Sequence, residues 1–391
     1  MLRVTGAALL AALVGLATPA LAAHGSKSAS DLRTGYNALL AEHVYLAAAA
    51  TNAALGGRQA EFEAAAAALD GNSQDIATSI GSVYGADAEK AFLPLWRKHI
   101  GMAVDYTVGV ATKDKPKQDK AVADLIGYTQ DFGAFLAAAN PNLPKDVVAE
   151  LVKHHVVTLK GVIDPQAAGD QAKAFTALRT AAGHMAMIGD PLAGAIAKQF
   201  PAKYPGDSAA SAAALRASLN LALREHVYLA AAATNAALAG RKAEFEAAAA
   251  ALDGNSQDVA RAIGSVYGPD AEKAFLPLWR KHIGMVVDYT VGVATKDKVK
   301  QDKAVADLVA YTDDFGAFLA AANPNLPKDV VADLVKHHVV TLKEVIDVQA
   351  TGDHAQAWKN VRTAAGHMAK IADPLAAAIA KQFPQRFASG G

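Results

Sequence analysis

An internal duplication constrains the fold of this chain more than any other feature of its sequence. The heptapeptide LPLWRKH occurs at 93–99 and returns unchanged at 276–282, an offset of 183 residues. Within each copy one histidine recurs every 56 residues, and in the first copy a leucine precedes it by four positions. Repeats of this length indicate a chain built from stacked supersecondary units. The recurring histidines are His43, His99 and His155 in the first copy and His226, His282 and His338 in the second.

Each unit of about 56 residues has the pattern of two helices joined by a short turn. A chain that is 52% hydrophobic and only 6% aromatic is typical of closely packed, alanine-rich helices. The sequence therefore predicts an all-α protein of two near-identical lobes, each built from three αα-hairpins that form a six-helix bundle. In the first lobe we expect helices over 31–55 and 58–84 (interrupted at 70–72), a third containing Pro94, a fourth ending at 140–144, a fifth over 145–163 and a sixth reaching Gln199.

The N-terminus has the pattern of a secretory signal. Arg3 supplies a positive start, 7–17 an apolar run, and Ala20-Leu21-Ala22 a cleavage site. We expect a secreted or periplasmic protein with no transmembrane segment after signal cleavage, because no later stretch reaches about 20 uncharged apolar residues. The expected divisions are a signal peptide over 1–22, lobe 1 over 29–201, a linker over 202–211 and lobe 2 over 212–387.

Composition removes several classes of function. The chain has no cysteine, which excludes disulfides, thiolate metal sites, cysteine nucleophiles and covalently attached haem. Lys+Arg and Asp+Glu both number 38, so the chain lacks the basic surplus that would predict nucleic-acid binding. We find no catalytic motif, and the sequence therefore supports no enzymatic activity.

Hairpin geometry predicts which side chain faces each recurring histidine. Two residues of an antiparallel pair lie at the same height when they are equidistant from the turn. The flanking residues are apolar, so each histidine is expected to point inward. The expected pairs are His43 with Asp75, His99 with Asp131 and His155 with His184 in lobe 1, and His226 with Asp258, His282 with Asp314 and His338 with His367 in lobe 2.

If the bundle is closed, the equal period brings these six groups of each lobe to one level. Imidazole and carboxylate are ligands for zinc, copper, iron or manganese. Apart from Met1, every methionine lies within three residues of one of these histidines, and thioether with imidazole favours copper, with zinc next. We therefore predict one copper or zinc site per lobe in a protein that sequesters or buffers metal. Its affinity is expected to fall as the pH drops through about 6.5.

Three alternatives remain open from the sequence. The His–Asp pairs could be hydrogen-bonded clips that only join helices, in a structural or protein-interaction module. An open solenoid would keep the pairs apart from one another. A b-type haem between two inward histidines is the third. His154 and His337 directly precede key histidines and are expected to be turned about 100° away, toward solvent.

Short words along the chain also resemble a known kind of domain. They are Glu-His-Val-Tyr-Leu at 42–46, Trp-Arg-Lys-His-Ile-Gly-Met at 96–102, Val-Asp-Tyr at 104–106 and Gly-His-Met at 183–185. They are similar to a helical domain of unassigned role in secreted bacterial proteins, some of which carry a copper-amine-oxidase-type N-terminal domain. The chain has no room for that extra domain and lacks the Asn-Tyr-Asp/Glu segment from which such oxidases form a quinone. The resemblance implies a secreted helical domain and no oxidase activity.

Overall fold

A computed structural model describes residues 28–387, which form two compact units divided between Gly206 and Asp207. Throughout this range every regular element is an α-helix, and each lobe has seven. The expected signal peptide and His24 lie outside the described residues. Lobe 1 contains α1 (Ala29–Leu55), α2 (Gln59–Tyr84), α3 (Ala86–Ala111), α4 (Lys115–Ala139), α5 (Lys145–Ala168), α6 (Gln171–His184) and α7 (Ala186–Gln199). Lobe 2 contains α8 (Ser211–Leu238), α9 (Lys242–Tyr267), α10 (Pro269–Ala294), α11 (Lys298–Ala322), α12 (Lys328–Thr351), α13 (His354–His367) and α14 (Ala369–Gln382).

The helix ends follow local chemistry. Ser28, Asp114 and Asp170 each accept a backbone N–H of the first turn through the side chain, which caps α1, α4 and α6. Gly169 ends α5 at φ 75°, a left-handed conformation that glycine adopts without steric cost. The all-α prediction and the three hairpins per lobe are thereby confirmed.

Two details of the predicted helices differ. No interruption occurs at 70–72, where α2 continues through Asn72 because that side chain donates across to the Leu39 carbonyl of α1 at 3.0 Å. The sixth helix is divided at Met185 into α6 and α7. There the backbone tightens to i→i+3 bonds, from Met185 N–H to the Ala182 carbonyl and from Ile188 N–H to the Met185 carbonyl.

The helices of lobe 1 form a closed ring. Each packs against its neighbour along the chain, and α7 packs back against α1. Arg33 of α1 makes a bidentate pair with Asp190 of α7, at 2.8 Å from Nε and 2.5 Å from Nη2, and Asn37 donates to the same carboxylate at 2.7 Å. Lobe 2 repeats this closure with Arg216, Asn220 and Asp373. The open solenoid is therefore wrong.

Alternate helices α1, α3 and α5 also contact one another inside the ring. Thr51 of α1 donates to the Gln166 side chain of α5 at 2.7 Å, and Tyr106 of α3 donates to Asp164 of α5 at 2.6 Å. Helix α1 is long and apolar enough to cross a membrane by length and composition, and 72% of its apolar window is buried in the bundle. Helix α1 contacts five other helices of its lobe, which accounts for its apolar composition.

The two ends of each lobe meet. Ala29 N–H at the start of α1 donates to the Pro205 carbonyl at 3.0 Å, after α7 has ended. In lobe 2, Ser211 Oγ at the start of α8 donates to the Arg386 carbonyl at 3.1 Å. Each lobe therefore begins and finishes at one place on its own ring.

Candidate metal centre

Three of the predicted histidines converge at the centre of lobe 1. His43, His99 and His155 come from α1, α3 and α5, the three helices in mutual contact, and each is at most 6% exposed. The Nε2 atoms of His43 and His99 are 3.3 Å apart. One candidate ligand atom from each of the three rings lies within 4.8 Å of the other two. The 56-residue period therefore places one imidazole from each hairpin at a shared point.

Lobe 2 repeats this cluster almost without change. His226 and His282 approach through Nε2 at 3.3 Å, and His338 completes a group with the same 4.8 Å limit. Ring centroids are separated by 5.2, 5.8 and 6.5 Å, against 5.2, 5.7 and 6.4 Å in lobe 1. We call each group a histidine triad.

Burial keeps the triad neutral. Desolvation lowers the pKa of His99 to about 3 and that of His155 to about 4, and it holds the pKa of His43 well below 6.5. Repulsion between imidazolium charges adds to each shift, while the backbone of Trp96 opposes the shift at His99. Metal ligation requires neutral imidazole, so the expected loss of affinity moves from about pH 6.5 down toward pH 4.

The triad leaves several nitrogen atoms without hydrogen bonds. Over residues 28–387, neither ring nitrogen of His155 has a partner, nor has Nδ1 of His43. The same atoms of His338 and His226 are also unpaired within the described part of lobe 2. A buried polar group without a partner is costly and rare in folded proteins. These unpaired atoms recur in both lobes, and a bound ion could satisfy them.

Aromatic rings fix the orientation of the imidazoles. Trp96 meets His43 and His99 edge-on, with centroids 5.0 and 4.6 Å away, and Phe92 stacks on Trp96 at 5.4 Å. Tyr128 of α4 lies against His99 at 5.3 Å. The side chains of Trp96, Phe92 and Tyr128 are closely packed and buried, so the histidines are held in place before any ligand arrives.

The triad geometry fits a transition metal. At a metal–nitrogen distance of 2.0–2.1 Å, tetrahedral coordination separates two nitrogens by about 3.3 Å. The His43–His99 separation of 3.3 Å already has this value. His155, with both nitrogens unpaired, could supply a third ligand, since one candidate atom of its ring lies within 4.8 Å of the other two. A tetrahedral ion held by three imidazoles would have one further position for water or another group.

The expected His–Asp pairs do not form. Asp131 is exposed and pairs with Lys98 at 3.6 Å, and Asp75 is half-buried on α2 while His43 bonds to His99 instead. In lobe 2, Asp314 pairs with Lys281 at 3.1 Å and Asp258 pairs with Arg261. These four aspartates therefore lie outside the triads, and the expected His–Asp clips are not formed among the described residues.

The error comes from the position of the turns. The α3–α4 turn is centred near residue 113, between Ala111 and Lys115, rather than near 115. A two-residue error in the centre shifts the facing residue by four, which is about one helical turn. The residue that faces His99 is accordingly Tyr128, and on α2 Asn72 donates to the side chain of Glu42, which directly precedes His43.

His184 also lies outside the triad. It pairs with His154, Nδ1 to Nδ1, at 2.8 Å, while its Nε2 lies 3.2 Å from the Leu151 carbonyl. In lobe 2, His367 stacks on His337 with centroids 4.2 Å apart. His154 is exposed as expected, but its contact with His184 was not foreseen.

Two apolar cavities flank each triad. In lobe 1 the methionine-side cavity, about 40 Å³, is lined by His99, His155 and Met185. The threonine-side cavity, about 50 Å³, is lined by His43, His99 and Thr51. The corresponding cavities of lobe 2 measure about 40 and 360 Å³. Since ligand pockets usually reach about 300–1,000 Å³, lobe 1 offers no space for a haem between its histidines.

Sequence reasoning missed the role of Tyr128. Correct placement of the α3–α4 turn would have identified Tyr128. Of the methionines cited for copper, Met185 and its counterpart Met368 line the methionine-side cavities, whereas Met187 is 56% exposed. Only part of the methionine pattern therefore concerns the triads.

Comparison with known proteins adds no relative. No protein-family model matches the chain, and neither a curated protein nor a solved structure is similar to it.

Proposed function

We propose that this protein binds transition metal, one ion per lobe, through His43, His99 and His155 in lobe 1 and His226, His282 and His338 in lobe 2. One observation carries the proposal: three buried, neutral imidazoles converge on a point in both lobes and leave ring nitrogens unpaired. Three such groups at one place lower the stability of the fold, because each buried nitrogen without a hydrogen bond is unfavourable until a ligand satisfies it.

Copper fits the surroundings better than zinc. No Asp or Glu belongs to either triad in the described residues, so a bound ion keeps its full charge in an apolar core. Because the desolvation cost of an ion rises with the square of its charge, Cu⁺ is favoured over a divalent ion there. The thioethers of Met185 and Met368 beside the triads favour the same soft ion. Zn²⁺ would need an anionic fourth ligand to offset its charge.

Sequestration is the role that best suits this site. The imidazoles are buried, and the lobe 1 cavities beside them are too small for an organic substrate. In lobe 1, a closed site that can hold a metal and has no room for an organic substrate suits storage or buffering. If the expected signal peptide directs export, the protein does this in the periplasm or outside the cell.

Metal stoichiometry tests the proposal. Full-length protein purified without a metal-affinity column is titrated anaerobically with Cu⁺, and separately with Zn²⁺, against a chromophoric chelator. We expect two tight equivalents of Cu⁺ per chain and weaker binding of Zn²⁺. The lobe 1 variant His43→Gln with His99→Gln should bind one tight equivalent, and the lobe 2 variant His226→Gln with His282→Gln should also bind one.

His354→Gln is the matched control, since this histidine begins α13 and belongs to neither triad. It should keep both tight equivalents. An unchanged stoichiometry in the two triad variants, or no saturable binding to the wild-type protein, would refute the proposal.

A further inference from the structure

A second pair of histidines lies beside each triad and is not explained by it. In lobe 1 these are His154 on α5 and His184 at the end of α6, and in lobe 2 His337 and His367 occupy the same positions. His154 Nδ1 lies 2.8 Å from His184 Nδ1 and 3.2 Å from His184 Nε2. His154 is exposed and His184 is 6% exposed, so the pair extends from the protein surface into the interior.

Hydrogen bonding determines which nitrogen of the inner histidine is free to bind. His184 Nε2 lies 3.2 Å from the Leu151 carbonyl, and His367 Nε2 lies 3.3 Å from the Leu334 carbonyl. A carbonyl only accepts, so Nε2 carries the proton and Nδ1 of the neutral ring keeps its lone pair. Metal-binding histidines are commonly held in this way, with the second nitrogen donating to a backbone carbonyl.

Lobe 2 shows that lone pair without a partner. His367 is 7% exposed, and its Nδ1 has no hydrogen-bond partner in the part of the chain that the structure describes. Its neighbour His337 is stacked on the ring, with 26° between the planes, whereas His154 meets His184 edge-on, with 81° between the planes. The equivalent histidine pairs of the two lobes thus differ in the angle between their imidazoles. In both pairs the imidazole exposed to solvent is the one on the longer helix, His154 or His337.

We infer that His154 with His184, and His337 with His367, form a solvent-facing metal site in each lobe from which the ion passes to the buried triad. The inference rests on the proposed function of the triads. The two imidazoles bind the ion through Nδ1, and water completes its coordination. Tetrahedral ligation requires the nitrogens to separate from 2.8 Å to about 3.3 Å, a movement that the exposed His154 ring allows.

The chain connects this outer site to the triad at two points. His154 precedes His155, a triad ligand, and His184 precedes Met185, which is 1% exposed. Met185, His155 and His99 line the methionine-side cavity, and its volume of about 40 Å³ exceeds the roughly 10–15 Å³ that one water needs. Met368, His338 and His282 line a cavity of the same size in lobe 2. Each cavity therefore offers an ion a thioether-lined space beside the triad, and its lining residues His155 and Met185, or His338 and Met368, directly follow the outer histidines in the chain.

The experiment compares full-length wild-type protein with the double variant His154→Ala with His337→Ala, which changes the outer member of each pair and neither triad. His354→Ala is the control. Each protein is titrated anaerobically with Cu⁺ against chelators of graded affinity, and Cu⁺ uptake is followed by stopped flow. We expect four equivalents in the wild type, two tight and two weaker. The variant should lose the two weaker equivalents and load the tight ones about tenfold more slowly, while the control resembles the wild type.

A second variant examines the route itself. Met185→Leu with Met368→Leu keeps both histidine sites and removes the thioethers, so all four equivalents should remain while uptake slows. The inference is overturned if the outer-histidine variant keeps four equivalents or takes up Cu⁺ at the wild-type rate. If instead a variant lacking both triads keeps the two weaker equivalents, the outer site is supported independently. If the wild type binds only two equivalents and the outer-histidine variant loses both, the proposed function of the triads fails and the transfer route fails with it.

Discussion

Replacing a triad histidine by leucine should make the metal-free protein more stable. The perturbation is His155→Leu with its counterpart His338→Leu, so that both lobes change together. Each of these rings is at most 5% exposed, and neither nitrogen has a partner among the described residues. Leucine has a similar volume and no polar atom, so it fills the site without leaving an unsatisfied group.

The magnitude follows from the unpaired nitrogens. Leaving one buried polar group unsatisfied costs about 1–3 kcal/mol, and each ring has two such atoms. We therefore expect a gain of about 2 kcal/mol or more in the free energy of unfolding of each lobe. For a lobe of this size, 1 kcal/mol shifts Tm by about 2–4 °C, which predicts a rise of roughly 4–8 °C.

The assay is thermal unfolding followed by circular dichroism at pH 7.5, with a strong chelator and then with Cu⁺. Metal should raise the Tm of the wild type by more than that of the leucine variant, which keeps only the weaker outer pairs. His154→Leu with His337→Leu is the matched control, and its Tm without metal should move little because His154 and His337 are exposed. A lower Tm of the metal-free His155→Leu, His338→Leu protein would refute the reasoning, because the imidazoles would then be stabilising partners in the core.

Three further predictions concern acid, ring closure and the separate lobe. The pKa of His155 is near 6.5 in the unfolded chain and about 4 in the folded protein. Metal-free protein should therefore lose stability as the pH falls through that window, by roughly 3 kcal/mol for this group alone. In urea titrations at pH 7 and 4.5, the leucine variant should lose less stability. Asp190→Ala removes the carboxylate that accepts hydrogen bonds from Arg33 and Asn37. The free energy of unfolding of lobe 1 should therefore fall by a few kcal/mol and its transition should move to lower temperature, measured by calorimetry against Asp131→Ala, whose carboxylate is exposed. A fragment of residues 28–206 should be soluble, helical and cooperatively unfolding, because it contains the whole ring of lobe 1; a fragment that aggregates would show that the lobes share a core.

The fold could be predicted because its signals are local and repeated. The duplication, the 56-residue period and the breakers such as Asn140–Pro144 each restrict the topology to helical hairpins, and the period alone brings His43, His99 and His155 together. A ring closed by Arg33 and Asp190 could not be predicted, since their separation of 157 residues leaves no local trace.

The partners of the histidines could not be predicted because they depend on height and rotation together. Because the predicted centre of the α3–α4 turn was two residues too late, the predicted partner of His99 was Asp131 instead of Tyr128. Asp131 is about one helical turn away and faces solvent. No pattern in the sequence predicted the division of the sixth helix at Met185. This division places Met185 on a cavity beside the triad. Helix existence is fixed by composition and caps, whereas side-chain facing needs the exact length of each turn.

The meeting of each lobe's ends, marked by the Ala29–Pro205 hydrogen bond, explains how such a chain could double. A unit whose first and last residues are neighbours can be copied in tandem or inserted into a loop of another protein without opening its ring. For the same reason the starting point of the chain is arbitrary. A circular permutant of lobe 1 that joins residue 205 to residue 28 and begins at Pro141, in the turn between α4 and α5, keeps all three hairpin contacts and all three triad histidines.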